Sequence, residues 1–344
     1  MTLFQLPILY VSLLAFCISS ILNLVVIRLS KNYSTKNKKY EIRLSHKDIP
    51  PFGGLATSFS FFTATFLLGR ADENFIVIGI CAVIISTLGL IDDILNLDWK
   101  PKLFIQSLVI LYPLITFNIF INIESFLNID FNNSINIVFS LFWILIVMNS
   151  INFIDNMDGL TVIVTGSICL QIAFLAYYSE AYKITDITLI LLSTLLGFLI
   201  YNFPPAKLYF GDSGTLFIGY MLGFISIIYD WQPSMDGILV SPFSPILFIF
   251  SVPVLDFIIV TTYRIRNKKS PTEGGTDHIS HRLLNSGQSP TKVLFEFLLV
   301  SFTFYALLIL TISFNGLISY LFALGYFIFF ILNYLRYSKL NTLN

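Results

Sequence analysis

The sequence predicts an all-α fold: a polytopic membrane helix bundle of about eleven transmembrane helices, with ten as the alternative, the N-terminus outside and the C-terminus cytoplasmic. Composition is the first observation behind this prediction, because 56% of the residues are hydrophobic and only 12% are charged, with a mean hydropathy of +0.81. Soluble domains carry about a quarter charged residues. The second observation is a series of apolar runs, several of them close to the roughly 20 residues that cross a bilayer. We therefore interpret residues 1–344 as a single integral membrane domain.

The apolar runs define the predicted helices in chain order. They fall at about 3–27, 53–69, 75–91, 103–121, 135–151, 160–178, 186–202, 214–229, 243–263, 293–313 and 316–335. The shorter runs would tilt or pack among neighbouring helices rather than face lipid. The first run is too long for the core of a signal peptide and no basic stretch precedes it, so we expect a retained helix.

The distribution of basic residues orients these helices. With eleven spans, 18 of the 20 Lys and Arg residues lie on one side of the membrane, and the other side holds only Arg70 and Lys183. Such an excess marks the cytoplasmic side, which predicts a multi-pass protein of the inner (plasma) membrane. The zero net charge indicates no nucleic-acid partner. Because Cys17, Cys81 and Cys169 each lie inside an apolar run, no disulfide framework is expected.

Adjacent carboxylates, Asp92 and Asp93, end the third run at the predicted cytoplasmic boundary. Carboxylates near hydrocarbon are costly and usually functional. Two adjacent acids can share a divalent cation or leave one as a base, since like charges push their pKa values apart. Lys102 follows, where its ammonium could meet a phosphate. The alternatives are a solvated helix end for the acids and a snorkelling anchor for the lysine.

Two further segments combine polar side chains at run boundaries. Asn149, Asn152 and Asp155 are spaced three apart, so a helical turn would align them on one face. Their oxygens suit hydrogen bonding to a base or ribose, or ligation of a hard cation. In the segment 202–214, two prolines stop one helix and Asp212 begins the next, where free N–H groups favour a phosphate or its metal. Helix capping is the alternative for both segments, and Tyr209 would either stack on a ring or pack.

Glycines and histidines mark two more places where a phosphate could bind. Gly53 and Gly54 begin the second run beside His46, and this arrangement suits close approach to a phosphate. The cytoplasmic Arg/His loop 264–292, called here the histidine loop, carries His278 and His281 among basic residues. Phosphate binding explains this cluster better than zinc, because no third ligand completes a zinc site. Asp256, before this loop, could instead pair structurally with Arg264 or Arg266.

Together these motifs favour an enzyme with two substrates. One is a soluble, phosphate-rich molecule that carries Mg²⁺, and the other is embedded in the lipid. At this point the chain resembles the polyprenyl-phosphate N-acetylhexosamine-1-phosphate transferases. The resemblance extends from His46 to Leu284 in family order: the Pro-x-x-Gly-Gly stretch, Asp92-Asp93, the Asn-x-x-Asn-x-x-Asp segment, 202–214 and the histidine loop. The stretch Asp92-Asp93-Ile-Leu-Asn96-Leu-Asp-Trp-Lys-Pro-Lys102 is especially similar to the branches that use UDP-N-acetylglucosamine.

The resemblance implies a role for each matching residue. Asp212 matches an Mg²⁺ ligand, with Mn²⁺ as a substitute metal and Asn152 as second ligand; Asp92 and Asp93 match the catalytic pair, and Lys102 matches a lysine that contacts phosphate. The uridine pocket would form from Asn149, Asp155, Asp158, Asn202 and Tyr209. Sugar and diphosphate would contact Arg264, Arg266 and the catalytic histidines His278 and His281. Further substrate-binding residues would be His46, Gly53, Gly54, Asn96, Lys207 and Arg282.

Three departures from the family pattern stand out. The family's Asp-Gly in the third motif is Asp155-Asn156 here, and Ser280 replaces one of three histidines. Ile-Pro-Pro-Phe-Gly-Gly replaces the Thr-Pro-Thr-Met-Gly-Gly of the phospho-N-acetylmuramoyl-pentapeptide branch, which makes that branch the alternative rather than the first choice.

The implied activity is transfer of an N-acetylhexosamine-1-phosphate, from a UDP-N-acetylhexosamine such as UDP-N-acetylglucosamine, to undecaprenyl (polyprenyl) phosphate with release of UMP. Such a reaction would initiate a lipid-linked cell-envelope glycan such as a lipopolysaccharide O-antigen, and the resemblance also allows for a homodimer. The rival class is a secondary transporter, which would place acids near the middle of its spans rather than at their ends.

Overall fold

The computed structural model describes residues 5–30, 49–69, 72–122, 132–228, 244–270, 274–314 and 316–342. Throughout these ranges the regular structure is helical, and no strand occurs in them. The helices in these ranges are α1 (Gln5–Leu29), α2 (Gly53–Leu68), α3 (Glu73–Leu95), α4 (Trp99–Phe117), α5 (Asn133–Ile154), α6 (Leu160–Tyr178), α7 (Tyr182–Asn202), α8 (Gly211–Ile228), α9 (Ser244–Ile249), α10 (Ser251–Arg266), α11 (Ile279–Asn285), α12 (Pro290–Ser313) and α13 (Leu317–Ser338).

Every predicted apolar run contains a helix, and the ninth run is divided between α9 and α10. Within the described ranges, eight helices are long and apolar enough to cross a membrane: α1, α3, α5, α6, α7, α8, α12 and α13. The predicted polytopic helical membrane protein is therefore confirmed, while the count of eleven spans and the orientation of the termini stay predictions. The short α11 lies inside the histidine loop, where no helix was predicted.

Helix α8 forms the centre of the bundle. Its residues from Gly211 to Ser226 are all buried, and it packs mainly against α3 and α5. Glycines permit the close contacts: a Cβ added at Gly219 would lie 2.6 Å from Cα of Met148 on α5. Small residues take this role between membrane helices because lipid offers no hydrophobic drive for association, and close van der Waals contact replaces it. By contrast, α1 and α13 are mostly exposed and present broad apolar faces.

Candidate active site

The N-terminus of α8 meets the ends of three other helices, and Asp212 lies at the junction. Lys102, near the start of α4, places Nζ 2.5 Å from Oδ2 of Asp212 and 2.8 Å from Oδ2 of Asp92 at the end of α3. The two carboxylates are buried, and the lysine side chain is 14% exposed. We call Asp92, Lys102 and Asp212 the acid–lysine cluster. An ammonium between two buried carboxylates shows that this pocket favours positive charge.

Asn152, near the end of α5, adds a fourth element to the junction. Its Nδ2 donates to Oδ1 of Asp212 at 3.0 Å and to Oγ1 of Thr215 at 2.8 Å. The structure therefore brings Asn152 to Asp212, 60 residues further along the chain. Asn149, one turn earlier on α5, is half-buried and donates to the carbonyl oxygen of Leu145.

The adjacent acids of α3 point to different partners. Asp93 is 1% exposed, and its two oxygens accept the backbone N–H groups of Asp212 at 2.9 Å and Ser213 at 3.2 Å. The first N–H groups of a helix have no carbonyl partner within that helix, and the helix dipole also favours a negative charge there. Asp93 thus holds the first turn of α8 in place. Asp92 instead faces Lys102 and accepts the N–H of Leu97 at 2.7 Å.

Glycines let the backbone of α8 approach its neighbours at this point. A Cβ at Gly89 on α3 would lie 2.4 Å from the carbonyl oxygen of Asp212, and one at Gly54 on α2 would lie 2.2 Å from the nitrogen of Gly214. The N–H groups of Gly53 and Gly54 donate to the carbonyl oxygens of Tyr209 and Phe210, both at 3.0 Å. Gly53 and Gly54, which were expected to approach a phosphate, therefore approach the protein backbone instead.

The polar residues assigned to a uridine pocket join two loops in the structure. Asn202 accepts the N–H of Gly159 and donates to the carbonyl oxygen of Leu208, both at 2.9 Å, and Asp158 accepts the N–H of Ala206 at 2.9 Å. Thr161 donates to Asp155 at 2.8 Å. The contacts of Asn202 and Asp158 fasten the α5–α6 turn, residues 155–159, to the segment that leads into α8. The Thr161 bond joins that turn to the start of α6.

Tyr209 is 1% exposed and packs in a small cluster with Ile49 and Ala206. Of the two alternatives for this ring, packing is the one present in the structure. Asn96, Lys207 and Arg266 are exposed, and Asn96 adopts a left-handed conformation that ends α3. His46 lies outside the described residues.

The histidine loop is fastened to α10 by two acid–base contacts. Oδ2 of Asp256 lies 2.8 Å from Nδ1 of His278, and its Oδ1 accepts the N–H of Ile279 at the start of α11. Arg264 donates through Nε and Nη2 to the two oxygens of Asp277, at 2.7 and 2.8 Å. The hydrogen bonds described give Asp256 and Arg264 each a partner from the folded-back loop. A pairing of Asp256 with Arg264 or Arg266 stays a prediction from the sequence.

Two charged residues of this loop, Asp277 and Arg282, have shifted pKa values. Burial raises the pKa of Asp277, but the hydrogen bonds and charge of Arg264 outweigh it and hold that pKa below its ordinary value. Arg282 donates to the carbonyl oxygens of Asp277, Ser338 and Leu340, which ties the loop to the end of α13. Burial lowers the pKa of Arg282.

The loop lies beside the segment that carries Asn152. The Phe153 ring meets His278 edge-on with centroids 5.9 Å apart, and the Arg264 guanidinium lies 5.4 Å from the centre of the Phe153 ring. His281 is 1% exposed, with its ring 6.0 Å from that of His278. The predicted histidines are thus adjacent to the α5 end of the site.

Comparison with known proteins agrees with a membrane transferase site. A profile described as glycosyl transferase family 4 matches residues 75–230. The chain is also 29% identical, over 84% of its length and 82% of the other protein, to a probable undecaprenyl-phosphate N-acetylglucosaminyl 1-phosphate transferase of Bacillus subtilis (strain 168). The chain belongs to glycosyl transferase family 4.

Two other relatives of this family 4 chain carry names that describe different activities. A decaprenyl-phosphate N-acetylglucosaminephosphotransferase of Mycobacterium leprae is 29% identical over 71% of this chain and 68% of that protein. A phospho-N-acetylmuramoyl-pentapeptide-transferase of Orientia tsutsugamushi is 28% identical over 85% and 89%. The family predicted from the motifs is confirmed. The family 4 match spans the acid–lysine cluster and Asn152 and ends before the histidine loop.

Sequence reasoning missed several residues that build the site. Gly89 has a weak signal, a small residue inside an apolar run one turn before the acids. Thr215 and Asp277 gain their roles only from partners that are distant in sequence. Asp256 was noted in the sequence, but its partner His278 was not. No local pattern could have assigned those partners.

Proposed function

We propose that this chain transfers N-acetylglucosamine-1-phosphate from UDP-N-acetylglucosamine to a polyprenyl phosphate, undecaprenyl phosphate in the first instance, and releases UMP. The acid–lysine cluster carries the proposal, because two carboxylates and an ammonium meet at the ends of membrane helices. The names of the relatives from Bacillus subtilis and Mycobacterium leprae support transfer of an N-acetylglucosamine phosphate group and this class of acceptor. We place the cluster at the cytoplasmic face of the inner membrane, on the basis of the basic-residue distribution.

The surroundings of the cluster suit a lipid acceptor. Exposed apolar side chains flank Asp92 and Lys102 in sequence, namely Ile91, Ile94, Leu95, Leu103 and Phe104. A prenyl chain can lie along such a surface within the bilayer while its phosphate meets the polar groups. This arrangement joins a membrane-borne phosphate to a soluble nucleotide at one boundary.

The reaction is a displacement at phosphorus. An oxygen of the lipid phosphate attacks the β-phosphorus of the UDP-sugar, the bond from that phosphorus to the oxygen of UMP breaks, and UMP leaves with the bonding electrons. Phosphoryl transfer depends mainly on positioning and on neutralising charge. In this proposal Asp92 accepts a proton from the lipid phosphate and Lys102 offsets phosphate charge. Asp93, which accepts the N–H of Asp212, keeps α8 and Asp212 in position.

The residues present suit Mg²⁺, with Mn²⁺ as a substitute. The described part of the chain contains no group of three His, Cys, Asp or Glu residues that could hold a metal, yet Mg²⁺ typically uses one or two carboxylates together with water and substrate phosphates. Asp212 would hold it, and Asn152 would join after its amide turns to present oxygen. The ammonium of Lys102 already shows that Asp212 attracts a cation. When bound, the metal would neutralise the diphosphate.

The test is a transfer assay with purified protein, Mg²⁺, a radiolabelled short polyprenyl phosphate and a panel of UDP-sugars. We expect product with UDP-N-acetylglucosamine and almost none after Asp212→Ala, while Asp92→Asn should lower kcat more than donor affinity. Asp98→Asn is the matched control, because this acid lies in the same segment, is exposed and makes no capping hydrogen bond. Mn²⁺ binding, followed by electron paramagnetic resonance with UDP-N-acetylglucosamine present, should weaken in the Asp212 variant.

Two results would overturn these assignments. A folded Asp212→Ala protein with normal turnover and normal Mn²⁺ binding would remove the metal site. Transfer from UDP-N-acetylmuramoyl-pentapeptide alone would favour the second candidate, which the relative from Orientia tsutsugamushi supports.

A further inference from the structure

A hydrogen bond joins the α5–α6 turn to the histidine loop. Oγ of Ser280 donates to Oδ1 of Asn156, 124 residues away in sequence. Ser280 is fully buried and Asn156 is half-buried. The Asn156 side chain is itself fixed, because its Nδ2 donates to the carbonyl oxygen of Phe153 at 2.8 Å.

The contact depends on the Asn156 side chain rather than on a special backbone conformation at that position. Asn156 is not among the described residues with positive φ, so the turn does not require glycine here. The Asn156 side chain therefore contributes two contacts here, one to Ser280 and one to the carbonyl oxygen of Phe153.

The contact connects two parts of the candidate site. Ser280 lies in α11 between His278 and His281, and Asp256 fixes the first turn of this helix to α10. Asn156 lies four residues after Asn152, which binds Asp212. The Asn156–Ser280 bond is thus a direct hydrogen-bonded link between the turn after Asn152 and the helix that carries the histidines.

We infer that Asn156 and Ser280 act as a co-dependent positioning pair that sets the histidines relative to Asp212 for the sugar-diphosphate of the donor. The inference rests on the proposed function. The pair should therefore affect reaction of the UDP-sugar donor and not binding of the lipid, because the lipid acceptor approaches Asp92 and Lys102 from the bilayer. Neither residue needs to touch a reacting atom.

A double-mutant cycle tests the pair with Asn156→Ala, Ser280→Ala and the double variant, measured with UDP-N-acetylglucosamine and with the lipid acceptor varied separately. A neutral hydrogen bond contributes about 0.5–1.5 kcal/mol, so each single variant should lower kcat/KM for the donor by about two- to tenfold. The double variant should be no worse than the poorer single variant. The KM for the lipid should not change.

Controls separate positioning from simple loss of fold. Ser280→Thr keeps a hydroxyl and should restore donor kinetics. Ser286→Ala removes a hydroxyl at the end of the same helix, one that bonds only to the local carbonyl of Leu283 among the hydrogen bonds described, and should leave the kinetics unchanged. A complementary swap, Asn156→Gly with Ser280→His, should be more active than Ser280→His alone, because the glycine makes room for the imidazole.

Independent effects of the two alanine substitutions on donor kcat/KM, or equal changes in the KM for donor and lipid, would overturn the inference. The cycle is also measured in the dissociation constant of UDP-N-acetylglucosamine. A wild-type protein without transfer would count against the proposed function. A wild-type protein that transfers, together with an additive cycle, would count against the positioning pair alone.

Discussion

The contact between α3 and the first turn of α8 predicts a strong effect for Gly89→Ala. The added Cβ would lie 2.4 Å from the carbonyl oxygen of Asp212 and 2.6 Å from the nitrogen of Ser213, whereas ordinary contacts begin at 3.4 Å. The difference, 3.4 minus 2.4, requires α8 to retreat by about 1 Å, because backbone atoms cannot turn aside. That movement opposes the hydrogen bonds from Asp212 and Ser213 to Asp93.

Two consequences follow from a displacement of this size. Overpacking costs about 1–3 kcal/mol of stability, so the thermal unfolding temperature in detergent should fall. A misplacement of about 1 Å can cost about a hundredfold in rate, so kcat should fall by about that factor while the KM for the donor changes less. The transfer assay described above measures both parameters.

Gly166→Ala is the matched control. Gly166 lies in the middle of α6, where an added Cβ would meet only Cδ1 of Leu192 at 3.5 Å, an ordinary contact. Kinetics and unfolding temperature should match the wild type. A folded Gly89→Ala protein with near-normal kcat, or an equal loss in Gly166→Ala, would refute the argument that backbone approach positions Asp212.

Two further predictions concern charged contacts. Lys102→Met keeps the apolar stem but leaves the carboxylates of Asp92 and Asp212 facing each other, so kcat should fall by about a hundredfold or more; unchanged kcat in the transfer assay would contradict the phosphate role. Asp277→Asn should lower the unfolding temperature at pH 7, because it breaks a buried pair with Arg264. Since the pKa of Asp277 is lowered in the folded protein, this contribution is complete above about pH 4 and disappears as pH falls through the lowered pKa. The gap between wild type and variant should close in acid, and a gap that stays constant to pH 3 would contradict the assignment.

The helices were predictable because their signal is local. A run of apolar residues long enough to cross a bilayer favours a helix wherever it occurs, and each such run here contains one. The break between α9 and α10 was not predictable, because it lies inside one continuous apolar run. The short α11 was not predictable, because it lies inside a polar loop. The meeting of Asp92, Asn152 and Asp212 followed from motif order and membrane side.

The partner of each polar side chain was not predictable in the same way. Asp93 and Asp92 are neighbours in sequence, yet one binds the backbone of α8 and the other binds Lys102. Asn202 and Asp158 have the hydrogen-bonding groups that a nucleotide needs, and in the structure these groups join two loops. A side chain's chemistry limits what it can bind, and only the fold selects among those options.

The central position of α8 has a consequence for how the protein is made. This helix is the least apolar of the eight candidate spans and is buried along nearly its whole length, so the bilayer alone is a poor environment for it. Its neighbours α2, α3 and α5 all precede it in the chain, and a newly synthesised α8 therefore emerges next to helices that can receive it. The acid–lysine cluster is complete only after that docking, because a chain cut short before residue 211 would contain Asp92 and Lys102 without Asp212.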